Sequence, residues 1–345
     1  MDRGSKCPIA LVEAAYDLQV GAAEWLPNLL RAGCPSLDLG QGCAATVWTG
    51  STTDGEPLVS QLHAESEHSD LAMRFARAVQ EVDPRLVRAA RAPEQPGVYT
   101  LAEARRSHRV LHDALTQHVG CADMLALWAM GAEGHGVGIH VPSATTIELS
   151  RSARERWQMV SCHIAAAHRL RRRLSKTPSG TPVTQIPLDA EAVLDPKRFS
   201  VTATSGQAET KSALEAIRKT AIHIDRARGP LRRDETHNAL RLWEEMVRGR
   251  WSVADWFDSD GRRFILALPN PPEARDPRGL TEREYQVAAQ TGAGKSGKHI
   301  ACDLGITRSQ VSQLLRRAMR KLGCDNAGQL VMKVRTLLVD NPSTM

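Results

Sequence analysis

The stretch from Gly279 to Leu338 constrains this chain more than any other, because it carries four helical patterns in close succession. In the third, Thr307 to Leu322, the apolar residues Val311, Leu314, Leu315, Ala318, Met319 and Leu322 recur at steps that put all six on one helix face. The other face carries Ser309, Gln310, Ser312, Gln313, Arg316, Arg317, Arg320 and Lys321. A helix that is apolar on one side and basic, with short amides and hydroxyls, on the other fits the major groove of DNA. Arginine and lysine there pair with phosphates or guanine edges, and glutamine can bond adenine. A solvated surface helix has the same pattern, so this helix alone leaves both readings open.

Its neighbours add to the first reading. Thr281 followed by Glu284 is a capping box that starts a helix. Lys298 to Leu304 forms a short second helix with Ile300, Ala301 and Leu304 inward, and Gly305 stands where a left-handed turn residue is wanted. Thr307 and Gln310 make another capping box. A helix, a glycine turn and a basic helix form a helix-turn-helix. The fourth segment, Asn326 to Leu338, has an apolar stripe that can serve a partner subunit.

These residues resemble the LuxR-type (GerE-like) DNA-binding domain. The match runs through Leu280, Thr281, Arg283 and Glu284, then Lys298, Ile300, Ala301, Leu304, Gly305, Ile306 and Thr307, then Val311, Leu315, Lys321, Leu322 and Gly323. The resemblance covers about a sixth of the chain. It implies a four-helix domain that inserts its third helix into the major groove, usually as a homodimer on double-stranded DNA. By position it assigns Ser312, Gln313 and Arg316 to base edges, and Lys298, Thr307, Arg317, Arg320 and Lys321 to the DNA backbone. Three residues depart from the family pattern: His299 stands where glutamate is usual, Ser312 where lysine is frequent, and Leu314 where histidine is frequent.

Charge points the same way. The segment from Gly279 to Val339 holds ten lysines and arginines against four acids, which accounts for the whole formal charge of +6. A neutral body with one basic end argues for an anionic partner at that end. The seven cysteines include no C-x-x-C pair and read as reduced thiols of a cytoplasmic protein. No apolar run is long enough to span a membrane.

Upstream, the expected order is a helix from Ile9 to Leu30 interrupted at Pro27, strands at Ala44–Trp48 and Pro57–Leu62, a helical stretch from Ser69 to Ala90 broken near Pro84, and a helix from Leu101 to Val119. An apolar strand pair follows, Met124–Met130 and Val137–Val141 around GAEGHG, and then a long helix from Ser150 to Leu174 whose terminal arginines read as a solvated end. This order resembles a GAF-type sensor domain over residues 8–174, which implies an antiparallel sheet able to hold a small-molecule ligand on one face. After a linker at 175–187, strands within 192–204, helices at Lys211–Arg228 and Thr236–Arg248, and a hairpin of Arg250–Phe257 with Arg262–Leu268 resemble a small PAS-like α+β domain, 188–268. A proline-rich linker leads to the helix-turn-helix domain, 279–339. The fold class expected is therefore multidomain: α+β sensor-like modules followed by an all-α four-helix domain.

Enzymatic readings find little support. Gly294-Lys295-Ser296 lacks the upstream glycine and the preceding strand of a phosphate loop. His63, Glu65, Glu67 and His68 lack convergent metal-ligand spacing, and His108 with His112 has the i, i+4 spacing of a helical metal pair but no third ligand at a recognisable distance, so no metal or cofactor is expected. The seven tryptophans read mainly as core. No nucleophile, Cys-His or paired-carboxylate motif appears. The expected function is a DNA-binding transcription regulator rather than an enzyme, with upstream modules sensing a signal or mediating assembly. The alternative is a protein-interaction module that has lost DNA binding.

Overall fold

The structure is a computed structural model that describes residues 8–51, 57–66, 70–83, 97–105, 108–130, 135–175, 190–229, 239–240, 251–269, 280–322 and 324–331. The first expected linker beyond Ser175, the second linker, the end of the helix expected at 69–90, most of the helix expected at 236–248, the tip of the GAEGHG hairpin, the end of the fourth C-terminal segment, and Glu67 and His68 lie outside the described residues.

The first module is built on a five-stranded antiparallel sheet. Its strands are β1 (Cys43–Ser51), β2 (Pro57–Glu65), β3 (Gly97–Thr100), β4 (Asp123–Met130) and β5 (Gly136–Ser143), in the order β2-β1-β5-β4-β3. Strict alternation along the strands divides the two faces. Ala45, Val47, Leu125, Leu127, Val137 and Ile139 point to one core. That core is closed by α1 (Ile9–Ala15), α2 (Ala22–Leu37) and the long α6 (Arg151–Ser175). The other face is covered by α3 (Leu71–Gln80) and α5 (Arg109–Leu115), with α4 (Leu101–Ala104) at the β3 edge.

The second module is a four-stranded antiparallel sheet, order β7-β6-β9-β8, of β6 (Ala192–Leu194), β7 (Val201–Thr204), β8 (Trp251–Phe257) and β9 (Arg263–Pro269). Helix α7 (Lys211–Arg228) packs Ala213, Ile217, Ala221, Ile224 and Ala227 against it, and Thr210 caps its first turn. One hydrophobic core runs without a break from Ile9 to Leu268 through both modules. The C-terminal domain has α8 (Glu282–Gly292), α9 (Gly297–Leu304) and α10 (Arg308–Lys321), and the chain is helical again over 327–331. No described helix is long and apolar enough to cross a membrane.

Three expectations change. The helix expected from Ile9 to Leu30 is two helices, and the break falls at residues 16–21 rather than at Pro27. Pro27 lies inside α2, where it removes its own N–H bond. The helix persists because Trp25, Leu26, Leu29 and Leu30 are all buried around it. Second, the helix expected from Leu101 to Val119 ends at Ala104, restarts at Arg109 and finishes in a π-turn, Thr116–Gly120. Third, the arginines at the end of α6 do not form a solvated end. Arg171 Nη1 donates to the Asp17 carbonyl at 2.6 Å, and its other amino group donates to the Val20 carbonyl. Its guanidinium lies over Trp25, 5.2 Å from the ring centroid. Burial lowers the Arg171 pKa to about 10, against a smaller opposing pull from Asp17. Arg173 donates to the carbonyl of Pro269, the last residue of β9.

Candidate nucleic-acid interface

Each helix of the C-terminal domain is started by its own sequence. Thr281 accepts from Glu284 N at 3.2 Å while Glu284 Oε2 accepts from Thr281 N at 2.9 Å. Thr307 and Gln310 repeat this reciprocal pair at the head of α10, with distances of 3.2 and 2.9 Å. Between them Ser296 caps α9, and His299 Nδ1 lies 3.1 Å from the Ser296 hydroxyl. The histidine thus stands at the capping box's reciprocal position, although its ring meets the serine hydroxyl rather than the backbone N–H.

The turn joining α9 to α10 closes with Gly305 at φ +62°, Ile306 N donating to Ala301 O at 3.0 Å and Gly305 N to Cys302 O at 3.3 Å. This is the glycine-terminated helix end in which a left-handed residue satisfies the last carbonyls. Val287, Ile300, Ala301 and Val311 pack at the helix crossing, with Leu304, Ile306, Leu314 and Leu315 around them. Leu314, one of the departures, therefore belongs to the core.

This packing fixes what α10 presents outward. Ser309, Gln313, Arg316 and Arg320, at steps of four, three and four, are exposed along the middle of its open face, with Ser312 and Arg317 flanking them. The helix carries four arginines, one lysine and no carboxylate. Several residues of the expected set also make internal bonds, among them Thr307 in the capping box and Arg316, whose Nε donates to Ser312 O at 3.3 Å. Gln310 is engaged in the capping box, and the Ser312 hydroxyl donates to Arg308 O at 3.1 Å. Lys321 is drawn inward: its Nζ lies 2.6 Å from Oε2 of Glu284, whose side chain is only 4% exposed. Burial alone would raise the Glu284 pKa, but the bonds from Lys321 and from the Thr281 backbone and hydroxyl outweigh it and hold the carboxyl below its ordinary value. Lys298 is exposed in the first turn of α9, beside the turn.

The phosphate-loop candidate resolves as turn chemistry. Lys295 pairs with Asp303 at 2.7 Å, and Ser296 is the α9 cap.

A protein-family model for bacterial regulatory proteins of the luxR family matches residues 278–334. The C-terminal region is a LuxR-family helix-turn-helix domain. In curated relatives, the transcriptional regulators MalT of Vibrio campbellii and Vibrio parahaemolyticus are each 28% identical over 104 residues, and that of Vibrio cholerae is 29% identical. These matches cover 30% of this chain and 12% of each relative, so the chain spans about an eighth of their length. Among solved structures, Escherichia coli SdiA aligns over 93% of both chains at 11% identity with a TM-score of 0.33. The ligand-binding domain of VqsR from Pseudomonas aeruginosa aligns over 49% of this chain and 94% of its own, at 14% identity with a TM-score of 0.30. Scores of that size lie below the range of a shared overall fold. The LuxR-type assignment therefore rests on residues 278–334.

Outside the LuxR-type domain, the first sheet holds a polar cluster that the sequence reading did not single out. Thr46 and His140 lie on the face under α3 and α5, 1% and 4% exposed. His140 Nε2 is 3.2 Å from Thr46 Oγ1, which accepts from Trp48 Nε1 at 2.7 Å. Phe75 tilts over the imidazole with centroids 4.5 Å apart, and Trp128 meets it edge-on. Gly138 leaves room for the ring, since a Cβ there would come 2.8 Å from His140 Nε2. Burial pushes the His140 pKa down to about 3, so the ring is neutral. The one available signal was a lone histidine between apolar residues in GVGIHV. Among the described residues no group of three or more could hold a metal. His63 instead pairs with Glu65 at 3.1 Å, and His112 with Asp113 at 2.9 Å.

Proposed function

We propose that this chain is a cytoplasmic, DNA-binding transcription regulator that acts as a homodimer and reads double-stranded DNA with α10. The observation that carries this is the open face of α10, where Ser309, Gln313, Arg316 and Arg320 line up without a carboxylate on the helix. Gln313 and Arg316 are the base readers, with Ser312 beside them. Lys298, Thr307, Arg317 and Arg320 contact the DNA backbone. Lys321 belongs to the clasp on Glu284 rather than to the phosphate contacts, because releasing it would leave a buried carboxylate without its cation.

Residues 8–174 and 188–268 form the sensing part and 279–339 the reading part. The shared core from Ile9 to Leu268 makes the first two a single packed body. A small-molecule ligand is proposed on the sheet face under α3 and α5, because Thr46, Trp48 and His140 place polar groups inside an otherwise apolar layer.

Selection of bound sequences from a random DNA pool, with purified protein at two salt concentrations, tests the reading. Enrichment of an inverted repeat is expected, with a slope of log affinity against log salt of about −0.9 for each phosphate neutralised. Salt-insensitive binding to a protein partner, with no retention on DNA, would contradict it.

A further inference from the structure

After α2 the chain turns back into β1 through residues 38–42, and Asp38 holds that turn. Its Oδ1 accepts from Gly40 N and Gly42 N, both at 2.8 Å. The return brings two cysteines to one rung of the sheet. Cys43 opens β1, is fully buried, and pairs with Glu65 across the β1–β2 ladder. Cys34, on the last turn of α2, is half-buried and has its Sγ 3.8 Å from the carbonyl oxygen of that same Glu65. Both cysteines thus lie against Glu65, and neither forms a disulfide in this structure.

We propose that Cys34 and Cys43 are an oxidative cross-linking site, in which Cys34 reacts with a hydroperoxide and Cys43 resolves the product into an intramolecular disulfide. Exposure sets the order, since Cys34 is the one of the pair that a small oxidant reaches. The hydrogen bond to Cys34, burial, and the charges of Asp38 and Glu65 all keep Cys43 in its protonated form. In the first step the Cys34 thiolate attacks one peroxide oxygen and the O–O bond breaks. The leaving oxygen takes up the thiol's proton as water or alcohol, and Cys34 becomes a sulfenic acid. In the second step Cys43 Sγ attacks the sulfenic sulfur, the S–O bond breaks, and the hydroxyl leaves as water with the Cys43 proton. Two thiols and one hydroperoxide give one disulfide, one water and one further water or alcohol. A dithiol reductant reverses the bond by exchange.

Trypsin releases residues 32–74 as one peptide that holds both cysteines and no other. The full-length protein is treated with hydrogen peroxide at a dose that oxidises the exposed Cys302, denatured, alkylated, digested and weighed. The expected peptide is two hydrogens lighter than its reduced form and carries no alkyl group, and dithiothreitol restores two alkylation sites. In Cys43→Ser, dimedone is expected to capture Cys34 as its sulfenic adduct. In Cys34→Ser, residue 43 is expected to stay a thiol. A wild-type peptide with both cysteines alkylated, or Cys34 joined to a different peptide, overturns the proposal. The wild-type arm decides the matter even if either variant fails to fold.

Discussion

The two ends of this chain obtain their helices in different ways. In the LuxR-type domain α8, α9 and α10 each start on a side-chain cap, from Thr281, Ser296 and Thr307. On the first sheet Thr100 and Ser150 cap α4 and α6, but α1, α2, α3 and α5 begin with no side-chain cap, and α2 contains two prolines. Those helices are held by burial, as when Leu29 and Leu30 of α2 are fully enclosed. Residues three apart set the starts of these C-terminal helices, whereas the upstream body is tied by contacts that span as many as 154 residues, as from Arg171 to Asp17.

Acid should separate the two regions most widely. Burial lowers the pKa of both His140 and His168 to about 3, helped at His168 by Arg172, His135 and Arg171. A histidine with a depressed folded pKa contributes full stability above its unfolded value of about 6.5, and that contribution is lost as pH falls from there towards 3. Each should cost the upstream two-sheet body about 1.4 kcal/mol per pH unit in that window. Glu284 is also depressed, so the reading domain keeps its contribution down to the ordinary carboxylate range and loses it only below. All seven tryptophans precede Asp258, while Tyr285 lies in the reading domain. Urea melts at pH 7 and 5, followed by tryptophan fluorescence, should therefore show a large loss with little change in hydrogen exchange at α10. Equal losses at both ends would break the comparison.

Ile139→Ala, at a fully buried position of the central strand, should cost ~2–5 kcal/mol in the tryptophan-detected transition. Binding to random DNA should remain. Lys321→Met sharpens the other side. It leaves the Glu284 carboxylate buried with only its Thr281 bonds, at a cost of ~1–3 kcal/mol near neutral pH. With the cation gone, burial dominates and raises that pKa, so the variant should recover part of the loss as pH falls. A uniform fall in DNA affinity with unchanged stability would instead return Lys321 to the phosphate contacts. Arg316→Ala should cost ~1–3 kcal/mol on the selected site and much less on random DNA, measured by titration at fixed salt. Thr307→Ala should cost ~0.5–2 kcal/mol, seen as faster hydrogen exchange in the first turn of α10.

The contrast explains how much could be read from residues alone. The capping boxes of α8 and α10, the turn at Gly305 and the bounds of α7 are local patterns, and each appears where its pattern placed it. The outward row on α10 follows from helical periodicity. The clasp between Lys321 and Glu284 spans 37 residues, and no spacing rule marks it. The partnership of Thr46 with His140 depends on β1 pairing with β5 across 94 residues. The continuous core is hidden for the same reason, because an apolar stripe shows that a face is buried without showing which element buries it.

Helix α6 joins these parts mechanically. Its 25 residues make a rod of about 37 Å. Near one end Arg154 grips the carbonyl of Val98 on β3 at 2.8 Å, and near the other Arg173 grips Pro269, where the chain leaves the second sheet for the reading domain. One helix is thereby bonded to both sheets. β3 and the point where the chain leaves the second sheet are therefore held at opposite ends of one element, so neither can shift without moving or straining the helix between them.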